Sequence, residues 1–155
     1  MGDIAGLLGA DAVLAEVGAN GKRALFTTLG GAAAKAFGVD AKEVAEALAA
    51  REKLGTTGFG GGVAVPHARI AALGRVRGIF ARLARPIDFD AVDDQPVDLV
   101  FALLSPVDAG ADHLKALALV SRHLRDRTLA QKLRGAGSPD ALYALLTGVE
   151  AHDLV

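Results

Sequence analysis

The order of strand-like and helix-like segments predicts an α/β fold, a mixed β-sheet flanked by helices on both faces. Two segments carry this prediction. Residues 76–84 and 97–104 are rich in apolar residues, and the second is apolar apart from Asp98, as in a central strand covered on both faces. Helix-like segments precede and follow these two strands. A length of 155 residues suits a single core, so we expect residues 1–155 to form one domain.

The other elements follow from apolar periodicity and from capping residues. Residues 21–37 place their apolar side chains along one helical stripe. Asp40, Asp126 and Ser138 are helix-capping residue types, and Pro139 occupies the favoured first position of the last helix. The predicted order is a strand at 13–17, a helix at 21–37, a helix after Asp40, strands at 63–65, 76–84 and 97–104, a helix at 112–124, and helices after Asp126 and Ser138.

Composition excludes several classes of protein. The formal net charge is −1, without the basic surplus of most nucleic-acid-binding proteins. Cysteine is absent, so neither disulfides nor thiolate metal sites are expected. The N-terminus lacks the basic region of a signal peptide, and no apolar run reaches the length of a membrane span. We therefore expect a cytoplasmic protein with no membrane insertion and no nucleic-acid partner.

A glycine-rich segment leads into His67. Four of the five residues from Gly58 to Gly62 are glycine, and Val65 and Pro66 follow a short predicted strand. Proline keeps Val65 extended, which places His67 at a strand end. A neutral imidazole nitrogen is a nucleophile for phosphorus, and glycine-rich backbone offers N–H groups to phosphate oxygens. By spacing alone, a phosphoryl-accepting histidine and a histidine simply packed after a hairpin are equally supported.

The remaining histidines differ in position. His113 lies at a predicted helix start, where an uncharged capping role is the structural alternative to a role in a site. His123 lies within the same predicted helix, and we expect its side chain to be partly exposed. His152 is near the C-terminus and is given no role. Acidic residues cluster between positions 88 and 98 without calcium-loop spacing. We expect neither a metal nor a cofactor.

Three blocks of sequence resemble one known family. Residues 51–69 read REKLGTTGFGGGVAVPHAR, residues 85–106 read RPIDFDAVDDQPVDLVFALLSP, and residues 112–126 read DHLKALALVSRHLRD. Together they resemble the enzyme IIA family of the phosphotransferase system, of the fructose/mannitol and nitrogen-regulatory type. The blocks occur in the family's order and cover most of the chain.

The resemblance implies a role for particular residues. His67 occupies the family's Pro-His position and is implied to be the phosphoryl acceptor, with His113 as the second histidine beside it. Arg51 and Thr57 are implied to border the site, although Arg51 equally suits the C-terminal end of its helix and Thr57 a turn. Gly61 stands where relatives often carry a polar residue, which leaves no side-chain contact from this position.

The resemblance is greatest to the nitrogen-regulatory branch, through the segment FDAVDDQPVD. It implies a phosphotransferase component that receives a phosphoryl group from a small phosphohistidine carrier of the HPr type. Its phosphorylation state would then regulate targets such as transporters or sensor kinases. Two alternatives stay open: a fructose- or mannitol-type transport component that passes phosphate to a IIB domain, and a binding module that no longer accepts phosphate.

Overall fold

The computed structural model describes residues 4–148. A short 3₁₀ turn at Ile4–Gly6 precedes the first strand. The elements are β1 (Leu8–Val17), α1 (Lys22–Phe37), α2 (Ala41–Lys53), β2 (Gly58–Gly60), β3 (Val63–Ala64), β4 (His67–Arg69), β5 (Arg77–Ile87), β6 (Val97–Ser105), α3 (Ala111–Leu124), α4 (Arg127–Gly135) and α5 (Pro139–Thr147). Within the described residues, no helix is both long and apolar enough to cross a membrane.

All the strands belong to one six-stranded mixed sheet. Its order is β1-β5-β6-β3-β2, and β4 pairs with β6 on the same edge as β3. β5 runs antiparallel to β6, whereas β1 is parallel to β5, and β3 and β4 are both parallel to β6. Two short strands therefore lie end to end along β6, with β4 beside its C-terminal half.

Helices cover both faces of this sheet, as the sequence predicts. α1 and α2 pack on each other, with α1 against β5 and α2 against β4. α3, α4 and α5 form a second group in which α3 contacts β6 and α5 contacts β1. Every residue of β6 is buried except half-buried Asp98, as the predicted central strand requires. The mixed α/β architecture expected from the sequence is confirmed.

The predicted caps are also confirmed. The Asp40 carboxylate accepts a hydrogen bond from the Glu43 N–H at 2.8 Å. Asp126 accepts from the first turn of α4, and Ser138 accepts from the first turn of α5, which begins at Pro139. Capping needs only residues within one helical turn, so it is readable from local sequence.

The observed strands depart further from the sequence prediction than the helices do. β1 begins at Leu8, not at residue 13, because its register against β5 is interrupted between Leu8 and Val13, which breaks the alternation of apolar residues. β2 and β4 are short strands that the sequence did not predict as strands. β2 consists of Gly58, Phe59 and Gly60, and glycine carries no side-chain pattern for a strand prediction to use.

Gly30 lies at a close approach between α1 and α2. It is buried within α1, and a Cβ atom there would overlap the carbonyl oxygen of Ala41 and lie 3.4 Å from the Ala45 nitrogen. Gly31, the next residue, is exposed, and a Cβ there would have no neighbour within 4 Å. Two adjacent helical glycines therefore have different physical roles.

We predict opposite effects of the same substitution at these two positions. Gly30→Ala forces α1 and α2 apart and should lower the free energy of unfolding by about 1–3 kcal/mol. Gly31→Ala should raise it by about 0.5–1 kcal/mol, because alanine is the better helix former. Urea denaturation of both variants and the wild type measures the difference. Equal responses at the two positions would contradict the close packing inferred at Gly30.

Candidate active site

The site forms where β4 meets the end of β6. His67 is the first residue of β4 and pairs with Leu103. β6 ends two residues later at Ser105, and α3 then begins at Ala111, with His113 in its first turn. The centroids of the His67 and His113 rings are 5.4 Å apart, and the ring planes are inclined at 56°. The chain thus brings together the two histidines that the sequence singles out.

His67 is half-buried, and its ring has a defined hydrogen-bond partner. Nδ1 lies 2.9 Å from the carbonyl oxygen of Val65. A carbonyl oxygen only accepts hydrogen bonds, so Nδ1 carries the hydrogen. In the neutral ring the lone pair is therefore on Nε2. The carbonyl of Val65, two residues upstream, therefore determines which ring nitrogen of His67 has the free lone pair.

The electrostatic surroundings keep His67 neutral. Burial lowers the pKa of His67 below the ordinary value for imidazole, and the positive charge of Arg51 lowers it as well. The Val65 carbonyl and the Glu52 carboxylate act in the opposite direction and raise the pKa, without reversing the net decrease. The neutral form, which has a nucleophilic nitrogen, therefore predominates near pH 7.

His113 is buried and is bonded to the end of β6. Its Nδ1 is 2.6 Å from the hydroxyl oxygen of Ser105. Burial lowers the pKa of His113, and the nearby His67 and Arg69 lower it further. Two neutral imidazoles thus face each other, each held through its Nδ1.

Arg51 lies in the last turn of α2, and its guanidinium donates a hydrogen bond at 2.9 Å to the carbonyl oxygen of Gly55, just beyond the helix. This contact matches the helix-end alternative that its position suggests. The same side chain is close enough to lower the pKa of His67. Arg51 therefore bonds the end of α2, and its charge also acts on the His67 ring.

Arg69 is a second cation that the sequence analysis missed. It lies two residues after His67 on β4, and residues at this spacing point to the same side of a strand. Its guanidinium approaches the carbonyl oxygens of Pro106 and Val107 at 3.5 Å, next to the loop that leads to α3. The spacing His-x-Arg on a strand was the available signal, but β4 itself was not predicted.

The Thr57 side chain is bonded to a carboxylate and so differs from a simple phosphate ligand. Its hydroxyl donates to the Glu52 carboxylate at 2.6 Å, and its backbone N–H also lies 3.2 Å from the same carboxylate. Lys22 completes the arrangement with a 2.9 Å ion pair to Glu52. Both Thr57 and Glu52 are buried. Thr57 thus holds a buried carboxylate whose charge acts on His67.

The glycine turn does not reach His67, which corrects the expectation that its N–H groups cradle phosphate there. The carbonyl oxygen of Gly62 accepts from the N–H groups of Asp98 and Leu99, whereas His67 pairs with Leu103. Four residues of strand separate these points, about 13 Å. The Gly61 N–H instead donates to the Asp93 carboxylate at 3.0 Å. The register of β3 on β6 causes this separation.

His123 lies outside the site. The ring of His123 lies 3.3 Å from the carbonyl oxygen of Leu119, one turn earlier in α3, and the side chain is partly exposed. His152 lies outside the described residues. Over residues 4–148, no group of three or more histidine or carboxylate side chains is arranged to hold a metal ion.

Comparison with known proteins identifies the family to which this chain is similar. The sequence model described as "Phosphoenolpyruvate-dependent sugar phosphotransferase system, EIIA 2" matches residues 7–149. The nitrogen regulatory protein of Bradyrhizobium diazoefficiens is 48% identical over 143 residues, which cover 92% of this chain and 94% of that protein.

Solved structures agree with this match. The nitrogen regulatory protein IIA-Ntr of Neisseria meningitidis superimposes with a TM-score of 0.87 and 34% identity, covering 93% of this chain and 99% of the other. The mannitol enzyme IIA of Escherichia coli, solved in complex with phosphorylated enzyme IIB, has the same fold, with a TM-score of 0.76, 23% identity and coverage of 92% and 99%. The chain therefore belongs to the enzyme IIA family of the phosphoenolpyruvate-dependent phosphotransferase system, and it is of the nitrogen-regulatory type.

Proposed function

We propose that this protein carries a phosphoryl group on Nε2 of His67, received from an HPr-like phosphohistidine carrier, and regulates target proteins by its phosphorylation state. The observation that supports this most directly is the hydrogen bond from Nδ1 of His67 to Val65, which leaves a lone pair on Nε2 beside His113. The protein is then a phosphotransferase component that alternates between two states. Arg51, Thr57 and His113 are its supporting residues.

The transfer needs little covalent machinery. The lone pair of His67 Nε2 forms a new bond to phosphorus as the P–N bond of the donor breaks, and that electron pair returns to the imidazole of the donor. The hydrogen on Nδ1 of His67 stays in place and remains bonded to the Val65 carbonyl. Catalysis then depends on positioning and on stabilising the charge of the transferred group.

Three side chains suit that stabilisation. Arg51 and Arg69 provide positive charge near the two rings, as their effects on the histidine pKa values indicate. His113 lies close enough to His67 to donate a hydrogen bond to a phosphoryl oxygen on that ring. The positive N-terminal end of α3 adds to the same field.

An apolar rim around the site suits a protein donor. Leu114 follows His113 directly and is 65% exposed, and Val107, whose carbonyl lies near Arg69, is 60% exposed. Leu54, three residues beyond Arg51, is 84% exposed. Each of these three residues lies near Arg51, Arg69 or His113, and exposed apolar side chains there offer contact area to a docked protein. We call Leu54, Val107 and Leu114 the apolar rim.

The nitrogen-regulatory role is favoured over sugar transport. A nitrogen regulatory protein is 48% identical to this chain, whereas the mannitol relative is 23% identical and shares the fold alone. Phosphorylation adds negative charge to a face that carries Arg51 and Arg69, so it changes which partner surface fits. Targets such as transporters or sensor kinases would distinguish the phosphorylated from the unphosphorylated protein. A cytoplasmic protein with no membrane insertion would be accessible to the phosphoryl donor and to such targets.

Because the mannitol enzyme IIA was solved with phosphorylated enzyme IIB, transfer to a IIB domain is the second candidate. The chemistry at His67 would be the same. Incubation of the phosphorylated protein with a purified IIB domain separates the two functions. Complete discharge to that domain favours transport, and retention of the phosphoryl group favours regulation.

His67→Ala should fold normally and accept no phosphoryl group, because it lacks the nucleophile. Intact-mass measurement after incubation with a phosphorylated HPr-like carrier tests this, with acid lability as the mark of a P–N bond. His123→Ala is the matched control and should be phosphorylated like the wild type. A phosphoryl mass on His67→Ala would assign the acceptor to another residue, and an unmodified wild type would favour the phosphate-independent binding module.

The pH dependence of phosphoryl uptake follows from the lowered pKa of His67. Uptake needs the unprotonated ring, so the rate should decline at a lower pH than it would for an imidazole with the ordinary pKa of about 6.5. Arg51→Gln removes a charge that lowers this pKa, so it should move the decline to higher pH.

NMR titration of the His67 ring measures the same pKa without any donor. Arg127→Gln, at an exposed arginine of α4, serves as the control and should leave the titration unchanged. A wild-type ring that titrates above 6.5 would contradict the electrostatic account of the site.

The apolar rim gives a test of donor docking. Val107→Ser should raise the KM for the phosphorylated carrier several-fold and change the maximal rate little, because it removes contact area and leaves the reacting groups in place. Val92→Ser is the matched control. Val92 is 77% exposed, but it lies beside β2, where its N–H donates to the carbonyl oxygen of Gly58. Steady-state phosphoryl uptake at varied carrier concentration measures KM and the maximal rate of both variants. Equal KM values for the two variants would remove the rim from the donor surface.

A further inference from the structure

Ser105 ends β6 inside the protein, directly against the second histidine. Its side chain is fully buried, and its hydroxyl oxygen lies 2.6 Å from Nδ1 of His113. Its backbone carbonyl accepts from the Ile70 N–H at 2.7 Å, which fixes the residue to the segment after β4. The hydroxyl is therefore held at one place relative to the ring.

The direction of this hydrogen bond follows from the surroundings of the hydroxyl. Over residues 4–148, the Ser105 hydroxyl makes no hydrogen bond except the one to His113. If Nδ1 were the donor, the hydroxyl hydrogen would be buried without an acceptor, which is a costly arrangement. If the hydroxyl donates, its hydrogen is paired with the nitrogen lone pair, and only acceptor capacity is left over. The second arrangement is favoured.

We propose that Ser105 is a positioning residue of the phosphoryl-transfer site, and that its hydroxyl donates to Nδ1 of His113 and so keeps the ring hydrogen on Nε2. This inference rests on the proposed function of His67 as the acceptor. The partner of one ring nitrogen decides the state of the other in a neutral imidazole. His113 then presents an N–H group to the phosphoryl oxygens, where a bare lone pair would repel them.

The two rings consequently take opposite tautomers. Nδ1 of His67 donates to the Val65 carbonyl, so its Nε2 has the lone pair, and Nδ1 of His113 accepts from Ser105, so its Nε2 has the hydrogen. One ring is a nucleophile and the other a hydrogen-bond donor. Two chemically identical side chains are given different roles by a carbonyl group in one case and a hydroxyl group in the other.

The tautomer is measured directly on the unphosphorylated protein by ¹⁵N NMR of the imidazole nitrogens. Wild-type His113 should carry its hydrogen on Nε2, and Ser105→Ala should show a larger share of the Nδ1–H form. Ser105→Thr and Ser105→Val are an isosteric pair that differs in the hydroxyl, so Thr should preserve the wild-type tautomer and Val should behave like Ala. Circular dichroism confirms that each variant is folded.

The rate of phosphoryl uptake shows whether the tautomer of His113 affects the transfer. Ser105→Ala should slow uptake about three- to tenfold, the loss of one neutral hydrogen bond. His113→Ala should slow it on the order of 10²–10³-fold, the loss of one donor to the transferred group. Ser105→Ala added to His113→Ala should cause no further slowing, because Ser105 acts only through that ring.

Each result has a defined meaning. A wild-type ring with its hydrogen on Nδ1 overturns the role of Ser105, whether or not His67 is phosphorylated. Equal slowing by Ser105→Ala with and without His113 also overturns it, since the serine would then act through packing. A wild type that shows the Nε2–H tautomer but takes up no phosphoryl group overturns the proposed function and leaves the tautomer assignment standing.

Discussion

The parallel pairing of β4 with the end of β6 is the contact on which the site depends. Three residues of β4 bond to the last three of β6, from His67 opposite Leu103 to Arg69 opposite Ser105. This register brings the His67 ring to the point where β6 ends and the loop to α3 begins. A shift by one residue would turn His67 to the other face of the sheet. Pro66 contributes through its carbonyl oxygen, which accepts from the Leu103 N–H at 2.9 Å.

The sequence predicted the parts of this structure that depend on local chemistry. Asp40, Asp126 and Ser138 cap their helices because each cap needs only the next three residues. β6 is recognisable because both of its faces are buried, which makes it apolar apart from Asp98 and the terminal Ser105. His67 and His113 were paired by resemblance, not by spacing, since 45 residues lie between them and only the fold brings the rings to 5.4 Å.

The parts that escaped prediction depend on register. The glycine turn was expected to face His67, but β3 lies farther back along β6, and the turn's Gly61 N–H is bonded to Asp93. Arg69 lies near the site because β4 pairs with β6, and Ser105 reaches His113 because α3 lies against β6. No local pattern indicates either arrangement. Side chains whose role depends on a neighbouring strand are visible once the strand order is known, and not before.

Glu52 explains how the site balances its charges. The buried carboxylate is paired with Lys22 at 2.9 Å and accepts a hydrogen bond from the Thr57 hydroxyl at 2.6 Å. Lys22 begins α1, so the ion pair ties α1 to the last turn of α2. The charge of Glu52 opposes that of Arg51 at His67.

The opposing charges of Glu52 and Arg51 suit a protein that accepts a phosphoryl group and passes it on. A site lined by cations alone would stabilise the phosphorylated state more than the transition state and would slow onward transfer. If His67 is the acceptor, as proposed, an anion beside it would raise the energy of the bound phosphoryl group, while Arg51, Arg69 and the His113 ring would stabilise the charge that moves during transfer. The network from Lys22 through Glu52 to Thr57 holds α1 and α2 to the start of β2, and under the proposed function it would also limit how tightly the phosphoryl group is held.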